Sequence, residues 1–584
     1  MGETPSMVSD FACWAVSALF ALGLVVLGVK LYGIQMVDTS EMRLAAQEQS
    51  VRRVRVAATR GRILDRSGIV LAGNRPCVSI VCHCEYFRRR SWEETAAAVL
   101  EGVKEVSLKT SLPAPLSEEE VVRHLKRELS VPLTVWDDID RFEFERFAEH
   151  SRDFPGFSTL EREERDYPNG ELAAHILGFT GSSDAGGQTE EGKFYFRQKE
   201  MSGRSGLEHF YDSFLKGVPG VELLTVDSRC FTVRTESVVP PVRGVDLELA
   251  LSARLQQAVE RELRGYRGAG VVIDPRDGGI LAAASSPAYD LRLLVPRLSS
   301  EMNASYVGNH DYRNRCCGET YAPGSTFKPV TALAALAAGV PADTRIECTG
   351  VFSLGEWSLR CARRWGHGPE TMRTALRDSC NPYFCTIGND IGTNALLKAA
   401  KAFGIGEPTG VDFPGEAPGV LPDAGWKMRV YGERWYPGDL PQMSIGQGML
   451  TVTPLQMACV AGAIGTGRRV RPHFKKTVAE ATDLGPLPFT AAQLKVVREG
   501  MELVVNDKQG SGRAGGDGVP VRVAGKTGTA EVGRGARRRK NTWFIAYAPA
   551  EKPEVAVALV IEDGVSGGGT AAPKVANILK EAFR

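Results

Sequence analysis

Tyr321-Ala322-Pro323-Gly324-Ser325-Thr326-Phe327-Lys328 sets a hydroxyl and an amine three residues apart, at the head of an apolar, alanine-rich run reaching Ala338. Pro323-Gly324 breaks the chain, and a helix beginning at Ser325 places Ser325 and Lys328 on one face of its first turn. A serine hydroxyl is a weak nucleophile until a neighbouring base takes its proton, and a lysine is such a base when its neutral form is favoured. The positive end of the helix and a desolvated pocket both push the amine that way. Taken alone the pair is weak, since most such pairs are a helix cap followed by a solvated lysine.

Two further stretches change that balance. Ser379-Cys380-Asn381, followed by Pro382, fits a loop between helices. Its serine can relay a proton and its amide can hold a carbonyl. Lys526-Thr527-Gly528-Thr529 follows the strand-like Val519 to Ala524. Glycine there lets a substrate backbone lie close, and Lys526 brings a second positive charge that disfavours protonation of Lys328 and attracts a carboxylate. Gly525-Lys526-Thr527 also echoes a phosphate-binding loop, but that motif needs a glycine where Pro520 stands. No HExxH pair occurs, so a zinc hydrolase has no support. Cys82-His83-Cys84 lies in an alternating segment that turns His83 away from both cysteines, which reads as a structural thiol pair and not a metal site.

The elements that must carry these residues follow from periodicity. Gly270 to Pro275 and Ile280 to Ala284, joined by Arg276-Asp277-Gly278-Gly279, read as a hairpin, as do Trp543 to Ala548 and Val555 to Ile561. A closing helix covers Ala572 to Ala582. Helices between an early and a late group of antiparallel strands predict an α+β domain whose sheet is completed by both ends of the segment. Pro240-Pro241-Val242-Arg243-Gly244 marks a boundary before it. Upstream, Arg60 to Gly68 predicts a turn-bounded strand with Asp65 and Arg66 in a local charge network. Residues 91–152 are charged and helical in pattern, and a glycine-rich break lies near Ser182 to Gly192.

Phe11 to Val29 carries no charge and, as a helix, spans about 28 Å, close to a bilayer's hydrocarbon thickness. Its length and the lack of a small-residue cleavage site favour an uncleaved anchor over a signal peptide. Leu31 to Ser50 reads as its polar helical continuation. The flanks hold Glu3 and Asp10 before the run and Lys30, Arg43, Arg52, Arg53 and Arg55 after it, which by the positive-inside rule keeps the bulk of the chain in the cytoplasm. Elsewhere the 584 residues are ordinary: 71 basic against 70 acidic, net charge +1, 43% hydrophobic. That balance argues against nucleic-acid binding and against wholesale disorder.

The three motifs in this order resemble those of penicillin-recognising serine enzymes, and the whole chain resembles a class B penicillin-binding protein. Arg60-Gly61-Arg62-Ile63-Leu64-Asp65-Arg66 and Gly203 to Asp212 are similar to motifs of that family's pedestal. Ser444-Ile445-Gly446-Gln447-Gly448, Thr451 to Gln456, Cys348 to Cys361, Gly366-His367-Gly368 and Asn381-Pro382-Tyr383-Phe384 are similar to stretches of its transpeptidase domain. The resemblance implies a short tail (1–10), a transmembrane anchor (11–30), an elongated pedestal or dimerisation domain (31–240) and a penicillin-binding, serine β-lactamase-like transpeptidase domain (241–584).

It also implies peptidoglycan D,D-transpeptidation through an acyl-enzyme. Ser325 would be the nucleophile and Lys328 its base, Ser379 and Asn381 would shuttle protons and orient the donor, Lys526 and Thr527 would hold its carboxylate, and Thr527, Gly528 and Thr529 would line the substrate. Backbone amides of Ser325 and Thr529 would form the oxyanion hole. Implied partners are stem peptides on lipid-linked precursor strands, β-lactams, a SEDS-type polytopic glycosyltransferase and other wall-synthesis proteins, with no cofactor, no metal and no nucleic acid. The domain would face outward from the cytoplasmic membrane, against the flanking charges. Cys348 and Cys361 would there be a disulfide or two buried thiols. No glycosyltransferase domain and no C-terminal PASTA repeats are expected. The basic positions Arg534, Arg537, Arg538, Arg539 and Lys540 read as a solvated hairpin loop, or as a patch meeting anionic wall polymer. A carboxypeptidase, a β-lactamase and a silent scaffold are the competing readings. Whether the role is in elongation, division or sporulation is left open.

Overall fold

The structure is a computed structural model that describes residues 7–33, 35, 51–127, 131–182, 194–196, 201–227, 232–294, 300–309, 312–478, 482–533 and 539–584. Three sequence readings fall outside those residues in whole or part: the helical continuation beyond Gln35, the glycine-rich break at 183–192, and the basic run at 534–538.

One helix, Met7–Tyr32, contains the uncharged run. Its 22 residues from Phe11 to Tyr32 have a mean hydropathy of 2.3 and are long and apolar enough to cross a membrane. Its side chains from Phe11 to Tyr32 are exposed.

The next region is built on two sheets. In the first, Val51–Val56 lies between Gly220–Val226 and Phe194–Phe196, with Thr232–Val239 at the far edge. In the second, the long strand Val70–Cys82 pairs with Ile63–Leu64, Leu133–Trp136 and Phe157–Asp166. The helices Trp92–Thr110 and Arg141–His150 pack their apolar faces against it through Val99, Val103, Val106 and Phe147. Within the charged stretch 91–152, Trp92–Thr110, Glu118–Arg127 and Arg141–His150 are helices as the pattern predicts, whereas Leu133–Trp136 is a strand. There Val131 to Trp136 alternates in the manner of a strand, and pairing with Val70–Cys82 overrides the surrounding helical periodicity.

Cys82 and Cys84 are both buried, while His83 is turned outward and bonds Ser158 Oγ at 2.8 Å. Asp65 is not part of a charge network with Arg66. Its carboxylate instead accepts from backbone Ser67 and Ile69 and, at 3.0 Å, from Ala253 N, so it caps a helix of the C-terminal region. Arg60 and Arg165 close on Glu208 at 2.7 and 2.6 Å, with all three side chains buried.

The C-terminal region is organised by a five-stranded antiparallel sheet: β1 (Gly268–Ile273), β2 (Ile280–Ser286), β3 (Ala524–Val532), β4 (Arg539–Ala548) and β5 (Val555–Ile561), in the order β2-β1-β5-β4-β3. Strand β1 pairs with β5 from Gly268↔Ile561 to Ile273↔Ala556, so the two ends of the domain do complete one sheet. Alternation sorts its side chains: Val271, Ile273, Ile545 and Ala558 face the core behind helix Pro454–Thr466. Val272, Phe544, Val557 and Leu559 face helices Ala253–Leu263 and Ala572–Ala582. Strand β3 begins at Ala524, later than the predicted Val519, and therefore contains Lys526 to Thr529. Pro520 and the Gly518 turn (φ +69°) interrupt the earlier stretch, and pairing with β4 starts at Ala524↔Tyr547.

Candidate active site

Ser325 stands on a 3-10 turn, Gly324–Phe327, that feeds directly into the α-helix Lys328–Ala337. The α-helix therefore starts at Lys328 and not, as the sequence predicts, at Ser325. The tighter turn is fixed by Gly324, at φ +56°, whose N–H donates to Gly446 O at 2.8 Å. Gly446 lies so close that a Cβ there would collide with Gly324 O, which is what the glycine in Ser444-Ile445-Gly446-Gln447-Gly448 is for. Thr331 Oγ1 ties the helix to the same segment through Ser444 O at 2.7 Å.

Lys328 is fully buried. Its Nζ donates to Ser379 O at 2.6 Å and to Asn381 Oδ1 at 2.8 Å, and lies 3.3 Å from Ser379 Oγ, with the Phe384 ring centroid at 5.6 Å. The first two partners can only accept. In the neutral amine they occupy both N–H groups and leave the lone pair for a hydroxyl. Burial lowers the pKa of Lys328 to about 8, so that neutral form is accessible near physiological pH.

Ser379 adopts φ +56° between helices Met372–Arg377 and Asn381–Ala402, a conformation rare for a residue with a side chain. Its Oγ also receives a hydrogen bond from Lys526 Nζ at 3.0 Å, and Lys526 reaches Thr527 O at 3.0 Å as well. Lys526 is fully buried, and its pKa is pushed well below the usual lysine value by burial first and by the charge of Lys328 second. The sequence expectation credited Lys526 with depressing Lys328. In the structure burial is the largest cause for both lysines, and their mutual repulsion adds to it.

Strand β3 is an edge of the sheet, so among the described residues one side of Lys526 to Thr529 has no strand partner and can take an extended peptide. A Cβ on Gly528 would sit 2.8 Å from Thr326 Cγ2 and 2.9 Å from Pro323 O, which shows how tightly the strand abuts the Ser325 turn. Ser325 and Thr529 thus lie on touching segments. Three neighbours carried no assigned role in the sequence reading. Gln447 Nε2 donates to Thr529 O at 3.2 Å, Gly567 N to Thr529 Oγ1 at 3.3 Å, and Ser511 Oγ lies 3.1 Å from Thr527 Oγ1. The glycine run Gly567-Gly568-Gly569 was the available signal for the second.

Behind Ser379 and Asn381, Cys380 meets Cys348, Cys361 and His367. Their ligand atoms all lie within 4.8 Å of one another, a set able to hold a metal ion. Cys348 and Cys361 are free thiols, not a disulfide, and each Sγ is 3.5 Å from His367 Nδ1. The hydrogen bond from Cys380 holds the Cys361 thiol well below its ordinary pKa. Three cysteines and a histidine are the donor set zinc takes in structural sites. The sequence reading assigned no metal ligand here, because the fourth donor lies inside the Ser379-Cys380-Asn381 motif, apart from the others in sequence.

Comparison with known proteins agrees with this geometry. Residues 268–580 match the family model of the penicillin binding protein transpeptidase domain, and residues 55–249 that of the penicillin-binding protein dimerisation domain. Peptidoglycan D,D-transpeptidase MrdA of Acinetobacter baumannii is 32% identical over 94% of this chain and 85% of its own length. The penicillin-binding protein PBP2 of Helicobacter pylori, solved in complex with MreC, superposes with a TM-score of 0.80 at 27% identity, over 91% of this chain and 98% of that one. A chain from a peptidoglycan synthase complex, described as coordinating polymerization and crosslinking, aligns with a TM-score of 0.72 at 27% identity over 98% of both.

Proposed function

The chain belongs to the class B penicillin-binding proteins and is a peptidoglycan D,D-transpeptidase, and from that premise we propose how its residues divide the work. Ser325 Oγ attacks the carbonyl between the last two residues of a D-alanyl-D-alanine stem. The Oγ–C bond forms, the peptide C–N bond breaks, and the terminal D-alanine leaves with the proton taken from the serine. Lys328, neutral and with its lone pair directed by Ser379 O and Asn381 Oδ1, is the base. Ser379 Oγ, between the two lysine amines, carries the proton towards the leaving nitrogen.

Lys526, Thr527 and Gly528 bind the donor along the edge of β3 and hold its terminal carboxylate. The amides of Ser325 and Thr529 stabilise the tetrahedral oxyanion. In the second half, an amine on a neighbouring stem attacks the ester carbon, the C–N bond forms, the C–Oγ bond breaks, and the proton lost by the amine returns to Ser325 Oγ. β-Lactams acylate the same serine.

The observation that carries this reading is the pair of contacts joining three distant motifs: Lys328 Nζ to Asn381 Oδ1 and Lys526 Nζ to Ser379 Oγ. With a D-alanyl-D-alanine donor and an amine acceptor, the account expects one D-alanine released per cross-link formed. It expects neither product from Ser325→Ala; D-alanine release by that variant would overturn the assignment.

Residues 11–30, within the apolar helix Phe11–Tyr32, are taken as a single membrane span, with residues 31–240 as pedestal and 241–584 as the transpeptidase domain outside the cytoplasmic membrane. The family resemblance supports that orientation against the flanking charges. A phosphatase fused to the C-terminus should be active only if the domain is exported. Likeness to MrdA and to a PBP2 solved with MreC supports an elongation role. The match to a complex joining polymerization with crosslinking supports a SEDS-type polymerase as partner.

A further inference from the structure

The acyl-enzyme needs an acceptor amine, and none of the residues above holds the acceptor. On the Asn381 side of the site the chain carries a second, separate set of cations. Asn381 Nδ2 donates to Arg360 O at 3.1 Å, so the same amide that directs Lys328 also grips the end of the hairpin Val351–Leu354/Trp357–Arg360. Immediately beyond, Arg363-Arg364-Trp365-Gly366 forms a turn closed by Gly366 N to Arg363 O at 3.0 Å.

That turn is pinned at both ends. Cys361 N donates to Gly350 O at 2.9 Å, Gly366 packs on Cys348 O at φ +82° where any Cβ would collide, and Cys361 with His367 belongs to the thiol–imidazole cluster. Its tip is fully presented to solvent. Arg363 and Arg364 are exposed, Trp365 is 84% exposed, and Arg364 Cζ lies 5.3 Å over the indole. Among the described residues neither guanidinium has a carboxylate partner, whereas nearby Arg373 and Arg377 are paired with Glu499 and Asp378.

Two exposed arginines, consecutive on a turn held at both ends and without a carboxylate partner among the described residues, offer charged donors to a carboxylate, and a preformed turn spares the entropy of ordering a loop on binding. The exposed indole offers a face to the apolar part of a peptide. Resting on the acyl-transfer reading above, we propose that Arg363 and Arg364 bind a carboxylate of the acceptor stem peptide and so hold its amine towards the Ser325 ester. In that step the amine nitrogen bonds the acyl carbon and the C–Oγ bond breaks. The proton lost by nitrogen passes through Lys328 to Oγ, so no other reactant is needed. The donor's carboxylate is met by Lys526 and Thr527, which leaves Arg363 and Arg364 for the acceptor.

The test uses the full chain, a D-alanyl-D-alanine donor, and a synthetic stem tripeptide acceptor with a lysine side-chain amine. The acceptor is supplied with free carboxylates or with all of them converted to carboxamides. For Arg363→Ala/Arg364→Ala, the ratio of aminolysis to hydrolysis should fall about tenfold with the free-carboxylate acceptor and stay unchanged with the carboxamide. Arg363→Lys/Arg364→Lys should recover part of the loss. Donor KM and the rate of labelling by a fluorescent penicillin should not change.

Equal losses with both acceptors, or no loss, would overturn the proposal. A raised donor KM would place the carboxylate on the donor and overturn it as well. Loss of penicillin labelling in the variant would show that the turn shapes the donor site instead. A wild-type protein that takes no penicillin label would remove the acyl-transfer reading itself, a failure separate from these.

Discussion

Lys526 Nζ donates to Ser379 Oγ across 3.0 Å, joining residues 147 apart in the chain, and the same hydroxyl lies 3.3 Å from Lys328 Nζ. One serine oxygen thus sits between two fully buried amines. Two amines this close cannot both stay protonated cheaply, which keeps one of them ready to accept.

Removing that oxygen isolates the amines from each other. Ser379→Ala is expected to slow acylation by roughly a hundredfold or more, the usual worth of a positioned proton-transfer group. Thermal stability should change little, since the hydroxyl fills no apolar core. Stopped-flow acylation by a chromogenic cephalosporin measures it.

Protonation of Lys328 sets the pH dependence. Burial lowers its pKa to about 8, and only the neutral amine can take the Ser325 proton. The acylation rate should therefore rise tenfold per pH unit below about 8 and level off above it. A rate profile between pH 6 and 10 reads this directly; a flat profile would remove Lys328 as the base.

Cys348, Cys361, His367 and Cys380 predict that the purified protein holds close to one zinc ion per chain. Elemental mass spectrometry counts it, and Cys361→Ser should lower both the count and the melting temperature. Because Cys380 lies between Ser379 and Asn381, chelation should also slow acylation.

Glu208 is enclosed by Arg60 and Arg165 with no access to solvent. Glu208→Gln leaves the buried Arg165 facing a neutral amide and Arg60 with Asp212 alone, and is expected to cost roughly 3 kcal/mol of stability. Urea denaturation of the full chain measures the loss. Arg62, which pairs with Asp246 while 46% exposed, should tolerate Arg62→Ala with a small fraction of that cost.

Much of this was legible because it was local. The hairpins β1–β2 and β4–β5 and the closing helix follow from alternation, turn residues and helical spacing, and the three motifs state their chemistry in a few letters each. Contacts between distant segments were not. Nothing near Arg60 announces Glu208, nothing near Asp65 announces the helix it caps at Ala253, and Cys380 reads as the middle of a motif until the fold brings His367 beside it. The strand Leu133–Trp136 was hidden for another reason: four residues are too few to outweigh helical periodicity on both sides, and only pairing with Val70–Cys82 decides them.

The central claim is that Ser325 forms the acyl-enzyme. Labelling the full chain with a fluorescent penicillin, followed by protease digestion and mass spectrometry of the labelled peptide, tests it most directly. The label should sit on Ser325, be absent from Ser325→Ala, and decay slowly. A label on any other residue, or one that survives Ser325→Ala, would contradict the account.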